Sequence, residues 1–331
     1  MASNSNLHKA KDAKNDEFYT QLSDVAKELI HYKQHFKDKI VLCNCDDPNY
    51  SAFWTYFHLN FSELGLKKLI STHYDRTEPT YKMVYEGGND SNIKAGAQLL
   101  LEGNGDFRNA ECIEILKEAD IVCTNPPFSL FREYVTQLME YGKKFIIIGN
   151  QNASTYKEIF PLIKDAKLWW GVSDCIRWFV IPDWMNIRYK LNDHGERTAE
   201  GARSRWWTNL DHNKRHKKLV VQKHYTSEEY PKYDGYNAIN VNKTIDIPCD
   251  YDGIIGVPIT FLDKYNPEQF EIIGLDRYTV PKEFLVGGRL AINGKSCYAR
   301  ILIRRKEGIR RINMASNSNL HKAKEVSFCD F

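Results

Sequence analysis

Short apolar runs alternate with amphipathic segments through the first half of the chain. The runs have the length of strands buried on both faces, and they lie at residues 40–43, 69–73, 99–101, 121–123 and 145–148. Between them, apolar residues recur at the three- and four-residue spacing of helices, with Thr20 and Ser129 placed to cap two of these helices. Helices between short buried strands predict an α/β fold, doubly wound around a mainly parallel sheet.

The pattern changes after about residue 165. Aromatic, strand-prone pieces at 168–172 and 175–181 precede a stretch, 184–223, that is rich in Arg, Lys, His, Asn and Trp and has little periodicity. Later apolar pieces indicate that the C-terminal part is also folded, and they lie at residues 253–262, 270–274 and 299–303. We therefore predict a core at 1–165 and a mixed, basic region at 166–313 that includes the end of the core sheet.

The last residues form a separate polar tail, 314–331. Residues 314–324 repeat residues 1–11 (MASNSNLHKAK) without a change, and the two copies diverge afterwards. One repeat is too few for a solenoid. We interpret it as a duplication at the gene level and expect the end of the tail to be poorly ordered.

Composition excludes several classes of protein. The chain has 331 residues, which predicts two domains or one large domain with insertions. No apolar run is long enough to span a membrane, and the N-terminus lacks a secretory pattern, so a cytoplasmic protein is expected. Eight cysteines without a C-x-x-C pair indicate reduced thiols. His212 and His216 have a metal-like spacing but no third ligand nearby, so no metal is expected.

The most informative motif is the tetrapeptide Asn125-Pro126-Pro127-Phe128, between an apolar strand and a helix. This position is the carboxyl edge of the sheet, where open α/β folds bind ligands. The two prolines stiffen the turn. The Asn125 amide and a backbone carbonyl can accept both hydrogens of an exocyclic amine, while Phe128 offers a stacking face for a base. A rigid turn with a buried phenylalanine is the alternative interpretation.

Polar residues at other strand ends fit S-adenosylmethionine bound to a Rossmann-like fold. Phe18 and Tyr19 can cover a cofactor, and a carboxylate of the loop 45–48 can pair with its ammonium group. Asp75 can accept from the ribose hydroxyls, and Asp106 with Phe107 can hold its adenine. The alternative interpretations are a helix entry with packed aromatic rings for Phe18 and Tyr19, an acidic helix cap for the loop 45–48, and plain turns at Asp75 and at Asp106 with Phe107.

Positive charge is concentrated in one sector of a nearly neutral chain, whose net charge is +3. These residues are candidates for phosphate contacts on DNA, and they are Arg197, Arg203, Arg205, Lys214, Arg215, Lys217 and Lys218. A solvated basic loop is the alternative interpretation.

The order of these motifs resembles one known family, the EcoRI-type adenine-specific DNA methyltransferases of the γ group of amino-methyltransferases. The similarity covers roughly residues 8–305 and rests on five segments, namely 16–20 (DEFYT), 43–48 (CNCDDP), 64–70 (LGLKKLI), 125–128 (NPPF) and 256–267 (GVPITFLDKYNP). The resemblance implies a catalytic core with bound S-adenosylmethionine at 1–165, and target recognition on double-stranded DNA within 166–313. It implies that 125–128 hold the target adenine and that the cofactor pocket is lined by Phe18, Tyr19, Thr20, Asp46, Pro48, Asp75, Asp106 and Phe107. A glycine-rich G-x-G after the first strand, usual in methyltransferases, is missing.

Three functions compete. The first is site-specific transfer of a methyl group to adenine N6, after the base is flipped out of duplex DNA and attacks directly. The second is methylation of RNA or of a protein glutamine by the same tetrapeptide, and the third is an inactive DNA-binding homologue. The long basic stretch favours a nucleic acid, and the intact Asn125 favours an enzyme. A cognate restriction endonuclease sharing the site is possible, with no stable complex implied.

Overall fold

The computed structural model describes residues 19–75, 77–181, 183 and 185–306. The chain divides into two units, Met1–His212 and Asn213–Phe331. Phe18, the repeated segment 1–11 and the tail 314–331 lie outside the described residues. Among the described residues, no helix is both long and apolar enough to cross a lipid bilayer.

The first unit is built on a ten-stranded mixed sheet. Its strands are β1 (Ile40–Cys43), β2 (Lys68–Thr72), β3 (Tyr81–Tyr85), β4 (Ala97–Leu100), β5 (Ile121–Thr124), β6 (Lys144–Asn150), β7 (Trp169–Trp170), β8 (Ile176–Val180), β9 (Lys190–Leu191) and β10 (Arg197–Thr208). The central strands β2, β1, β5 and β6 are parallel neighbours in that order. The prediction of an α/β fold with a largely parallel centre is confirmed.

The flanks of the sheet differ from the sequence-based expectation. The strand expected at 99–101 is β4, an exposed antiparallel edge strand rather than a buried one, and it pairs with β3, which was not predicted. On the other flank β10 lies antiparallel to β6 within the stretch interpreted as aperiodic. The core sheet therefore continues to Thr208, well beyond residue 165.

Among its described residues, the first unit has six short helices. They are α1 (Leu22–Leu29), α2 (Ala52–Leu59), α3 (Phe61–Leu64), α4 (Ala110–Glu118), α5 (Phe131–Glu140) and α6 (Phe160–Lys164). Ser51 caps α2, because its Oγ accepts from two backbone amides at 3.1 Å. The two caps expected elsewhere are wrong: α1 begins after Gln21 and α5 after Leu130, not after Thr20 and Ser129.

Helices cover both faces of the sheet. Adjacent strand residues point to opposite faces, and Trp206 and Trp207 of β10 are both fully buried. Trp206 packs against Phe53 of α2 with ring centroids 5.8 Å apart, and Trp207 packs against Phe131 of α5 at 5.5 Å. Trp206 and Trp207 of the basic stretch are thus core residues.

The second unit contains a separate five-stranded sheet. Its strands, in spatial order, are β11 (Lys232–Tyr233), β12 (Tyr236–Asn240), β13 (Ile254–Pro258), β17 (Arg300–Arg305) and β14 (Phe270–Leu275). A hairpin of β15 (Ala291–Ile292) and β16 (Lys295–Ser296) and a one-turn helix, α7 (Asp276–Thr279), complete it. This unit is folded as predicted, and its assignment to DNA recognition stays a prediction.

Candidate active site

The order of the parallel strands reverses between β1 and β5. From β1 the chain passes to β2 on one side, and it later returns to β5 on the other side of β1. Loops that leave the carboxyl ends of β1 and β5 consequently diverge and open a crevice, which is where open α/β sheets bind ligands. These loops are 44–51 and the NPPF tetrapeptide, residues 125–128.

The NPPF tetrapeptide forms a stiff turn at the end of β5. Pro126 is buried, whereas Asn125, Pro127 and Phe128 are half-buried. A 3₁₀ turn, Phe128–Leu130, leads from the tetrapeptide into α5. The Phe128 ring meets the buried Phe179 of β8 edge to face, with centroids 6.2 Å apart. The tetrapeptide therefore supplies an amide and a half-buried aromatic ring within one turn at the crevice.

Asp46 ties the β1 loop to the end of β5. Its carboxylate accepts hydrogen bonds from the Thr124 hydroxyl, from Ser51 Oγ at 3.0 Å and from the backbone amide of Asn125. Its main-chain amide donates to the Thr72 carbonyl at 3.0 Å, and its carbonyl accepts from Ser71 Oγ at 2.6 Å. Asp46 thus connects the ends of β1, β2 and β5.

Burial controls the charge of this network. Desolvation raises the pKa of Asp46 to about 6, against the hydrogen bonds from Thr124, Ser51 and Asn125, which lower it. Burial also raises the pKa of the surrounding Cys43, Cys45 and Cys123 thiols and of the Tyr134 hydroxyl, so these groups stay protonated. Asp46 is the member of the network that changes charge near neutral pH.

Asp75 ends the loop after β2 in a turn. Its Oδ1 accepts from the Thr77 amide at 2.9 Å, from the Thr77 hydroxyl and from the Glu78 amide. Asp75 therefore accepts hydrogen bonds within its own turn, whether or not it also contacts the cofactor.

The neighbouring β1 loop is held by a second aspartate. Asp47 Oδ1 accepts from the Tyr81 hydroxyl at 3.0 Å, and desolvation raises the pKa of Tyr81 to about 12.

The loop before α4 packs on the end of β2. Gly105 has φ +72°, and a Cβ there would lie 1.8 Å from the His73 carbonyl oxygen, so glycine is required. This contact sets the positions of Asp106 and Phe107. The Asp106 carboxylate pairs with Arg108 at 2.6 Å. Phe107 is buried and meets Tyr134 of α5 edge to face at 5.0 Å.

The segment before α1 reaches the sheet. Tyr19 forms a two-bond antiparallel bridge with Val180, both N···O distances being 2.8 Å. Its ring lies 6.2 Å from that of Tyr50 in the β1 loop. The buried Thr20 Oγ1 forms no hydrogen bond to any of the described residues, although such a hydroxyl normally has a partner. Pro48 of the β1 loop is also buried. The contact between Tyr19 and Tyr50 brings the segment before α1 against the β1 loop.

Comparison with known proteins identifies the family. The family described as "Adenine-specific methyltransferase EcoRI" matches residues 6–306. The chain is 47% identical to the Type II methyltransferase M.EcoRI of Escherichia coli over 92% of this chain and 98% of that protein. It is 38% identical to the Type II methyltransferase M.MpnI of Mycoplasma pneumoniae over 92% and 99%. This chain belongs to the EcoRI family of adenine-specific methyltransferases. No solved structure gives a significant match.

The basic residues predicted for this family member to contact DNA have different surroundings. In the first unit, Arg197 donates to the carbonyls of Asp183 and Met185, and the Arg205 guanidinium lies 4.6 Å from the centroid of the Trp170 ring. Arg203 is exposed.

In the second unit, Lys214 pairs with Asp263 at 2.8 Å, whereas Lys217 and Lys218 are exposed. Arg215 is half-buried near Tyr265. Sequence alone did not separate the exposed cations, Arg203, Lys217 and Lys218, from those already bonded within the protein.

Possible metal ligands also occur among residues that do not belong to the crevice loops. His212 bonds through Nε2 to the Trp170 carbonyl at 3.0 Å, which gives this buried ring a structural contact. Within the part of the chain that the structure describes, one group of three possible ligands is found, namely His224, Cys249 and Asp250. His224 and Asp250 are exposed, and Nδ1 of His224 lies 3.0 Å from Oδ2 of Asp250, the distance of an ordinary hydrogen bond.

Sequence reasoning missed the buried residues that hold the crevice together. Thr124 precedes the tetrapeptide, Ser51 caps α2, and the hydroxyl of Tyr134 donates to Asn44 of the β1 loop. A usable signal existed for Thr124 and Ser51, since hydroxyl residues at a strand end and a helix start bond to local polar groups. Tyr134 had only its helical spacing, which predicts burial and not a partner.

Proposed function

We propose that this family member is a site-specific DNA-methyltransferase (adenine-specific) that uses S-adenosylmethionine to methylate N6 of adenine in double-stranded DNA. The observation that carries the proposal is the NPPF tetrapeptide at the end of β5, beside β1, where the strand order reverses. The parallel centre with this reversal is what a Rossmann-like methyltransferase core requires. Relatives named Type II methyltransferases cover nearly the whole chain.

The tetrapeptide would act on the amine of the target base. The Asn125 amide oxygen and the Pro126 carbonyl accept the two hydrogens of N6, which draws the nitrogen lone pair out of the ring and makes it available for attack. Phe128 stacks on the base, and its contact with Phe179 limits its motion. Positioning and polarisation suffice for direct in-line transfer, without a covalent intermediate on the enzyme.

The residues around the crevice fit the cofactor. When bound, S-adenosylmethionine supplies an electrophilic methyl group on a sulfonium centre. The Thr20 hydroxyl is buried and needs a polar partner, and Phe107 offers a ring for the adenine. Asp75 would accept from the ribose hydroxyls and Asp106 from the adenine amine. Tyr19 and Pro48 would close the pocket, with Phe18 completing the set of side chains at the cofactor. Asp46, which the sequence also suggested for this set, is 9% exposed and would hold the surrounding loops through Thr124 and Ser51 rather than contact the cofactor.

The target adenine must leave the helix to reach this crevice. Enzymes that modify a base inside a duplex rotate it out of the stack at a cost of a few kcal/mol. Exposed Arg203, Lys217 and Lys218 would contact phosphates and supply affinity that does not depend on sequence. The remaining predicted cations would add to the positive electrostatic potential that attracts DNA, while they stay bonded within their own units. They are Arg197, Arg205, Lys214 and Arg215.

Mapping modified bases in DNA from cells that express the protein tests this function. We expect N6-methyladenine at one recurring sequence, and its loss in cells that express Asn125→Ala. Methylcytosine, or unmodified DNA with methylated RNA or glutamine instead, would overturn the proposal. A cytoplasmic location and a paired restriction endonuclease stay predictions that follow from the same assignment.

A further inference from the structure

A buried threonine directly precedes the catalytic tetrapeptide. We infer that Thr124 is a positioning residue for Asn125, and that it acts through Asp46, which links the end of β5 to the loop after β1. The inference rests on the proposed function, in which the Asn125 amide holds the target amine. It adds that the direction of this amide is set by a buried carboxylate and not by the two prolines alone.

The Thr124 hydroxyl has two hydrogen-bond partners. Its oxygen accepts from the backbone amide of Cys45 at 3.2 Å, and its hydrogen is donated to Oδ2 of Asp46. Thr124 is fully buried, so no water can take over either bond. The hydroxyl orientation is therefore fixed by the β1 loop.

Asp46 transmits this constraint to Asn125. Its carboxylate also accepts the backbone amide of Asn125 and, on Oδ1, the Ser51 hydroxyl at 3.0 Å. Main-chain bonds to Thr72 and Ser71 hold Asp46 against β2. A carboxylate fixed on three sides thus holds the peptide that carries the Asn125 side chain.

The position of Asp46 favours this role over a direct contact with the cofactor. Asp46 is only 9% exposed, and its carboxylate already accepts three hydrogen bonds from the protein. Asp47 beside it is half-buried and more open to solvent. Loss of the Thr124 hydroxyl would leave the Cys45 amide buried without an acceptor and would release one side of Asp46, so Asn125 would lose its alignment.

Paired substitutions separate positioning from stability. Thr124→Val keeps the side-chain shape and removes the hydroxyl, whereas Thr124→Ser keeps the hydroxyl. Thr208→Val is the matched control, because Thr208 is also fully buried and its hydroxyl both donates to the Phe145 carbonyl at 2.7 Å and accepts from the Leu210 amide at 2.9 Å. Thr208 pairs with Ile146 toward the start of β6, away from the carboxyl edge.

The measurements are single-turnover methyl transfer to duplex DNA, the dissociation constants for S-adenosylmethionine and DNA, and the melting temperature. We expect Thr124→Val to lower the transfer rate on the order of 10- to 100-fold, as small misplacements of reacting groups do. Both dissociation constants should change less than about threefold. Thr124→Ser should recover most of the rate. Thr208→Val should lower the melting temperature without a comparable loss of rate.

Asp46→Asn gives a second variant should Thr124→Val fail to fold, and it should show the same fall in rate with little change in cofactor affinity. An unchanged rate in Thr124→Val or Asp46→Asn would overturn the inference. So would equal losses in Thr124→Ser and Thr124→Val, or a weaker cofactor affinity with a normal rate in Asp46→Asn. Asn125→Ala distinguishes the two proposals: if it retains turnover, the proposed role of the tetrapeptide fails, whatever Thr124 does.

Discussion

Asp46 lies where three strand ends meet, and its environment decides its charge. Three donors favour the carboxylate, but burial opposes it more strongly, so the pKa rises from 3.8 to about 6. A group whose pKa is raised on folding binds its proton more tightly in the folded state. The folded protein is therefore favoured at low pH, and this contribution is lost as the pH rises from about 4 to about 6.

Asp46→Asn should remove this pH dependence. Two pKa units correspond to roughly 3 kcal/mol, so the wild-type protein should lose up to that amount of unfolding free energy, relative to the variant, between about pH 4 and pH 6. Above pH 6 the difference should stay constant. Urea unfolding of both proteins at several pH values measures it. A difference that is independent of pH, or that grows in favour of the wild type as the pH rises, would contradict the assigned environment.

Asp75 can be a turn residue, a cofactor ligand or both, and two substitutions separate these roles. Asp75→Asn keeps an oxygen for the Thr77 and Glu78 amides but replaces the other acceptor with a donor. Asp75→Ala removes both. Loss of an acceptor costs on the order of 1 to 3 kcal/mol, so calorimetry should show roughly tenfold or weaker binding of S-adenosylmethionine in both variants. Weaker binding in Asp75→Ala alone would leave Asp75 as a turn residue.

At the scale of elements, the sequence predicted strands where burial is complete on both faces. The continuous apolar runs at β1 and β5 identified those strands and the loops after them. β4 is an edge strand with four exposed residues. Its leucines therefore led to the wrong prediction that this strand is buried. In β10, a buried side chain lies between two charged ones only at Arg203, Ser204 and Arg205, and the last three residues, which end at Thr208, are all buried. The strand therefore has no continuous two-residue period that the sequence could reveal.

The loop before α4 offers a test at this scale. Gly105 and Gly142 both have positive φ, of 72° and 62°, but only at Gly105 would a Cβ meet a carbonyl, at 1.8 Å. Gly105→Ala should displace Asp106 and Phe107, weaken cofactor binding about tenfold or more and lower the melting temperature. Gly142→Ala, the control, should bear only the backbone strain. Equal cofactor affinity in the two variants would mean that this loop does not shape the pocket.

At the scale of the molecule, local motifs were easier to predict than the contacts that unite them. The NPPF tetrapeptide is contiguous, and its position after an apolar run is visible in the sequence. The bond between Thr124 and Asp46 joins residues 78 positions apart, and no periodicity specifies it. Likewise, composition showed a basic sector, but only the structure shows that Lys214 is neutralised by Asp263 while Lys217 and Lys218 face solvent.

Salt dependence measures whether the exposed lysines contact DNA. Replacing Lys217 and Lys218 with glutamine should reduce the slope of log K against log salt by up to about 0.9 for each phosphate that a lysine no longer neutralises. Replacing Lys37 and Lys39 removes the same charge from exposed positions just before β1, at the opposite edge from the crevice, and should leave the slope unchanged. Identical slopes for the two double variants would mean that Lys217 and Lys218 are solvated and do not contact DNA phosphates.

The most direct test of the central claim is transfer of a tritiated methyl group to adenine in a duplex by Asn125→Ala. Asn125 is proposed to act chiefly in the transition state, so turnover should fall on the order of 100-fold or more while DNA and cofactor binding stay nearly intact. Asn60→Ala, a half-buried asparagine at the start of α3, should remain active. Wild-type turnover in Asn125→Ala, or methyl transfer to cytosine, would contradict the account.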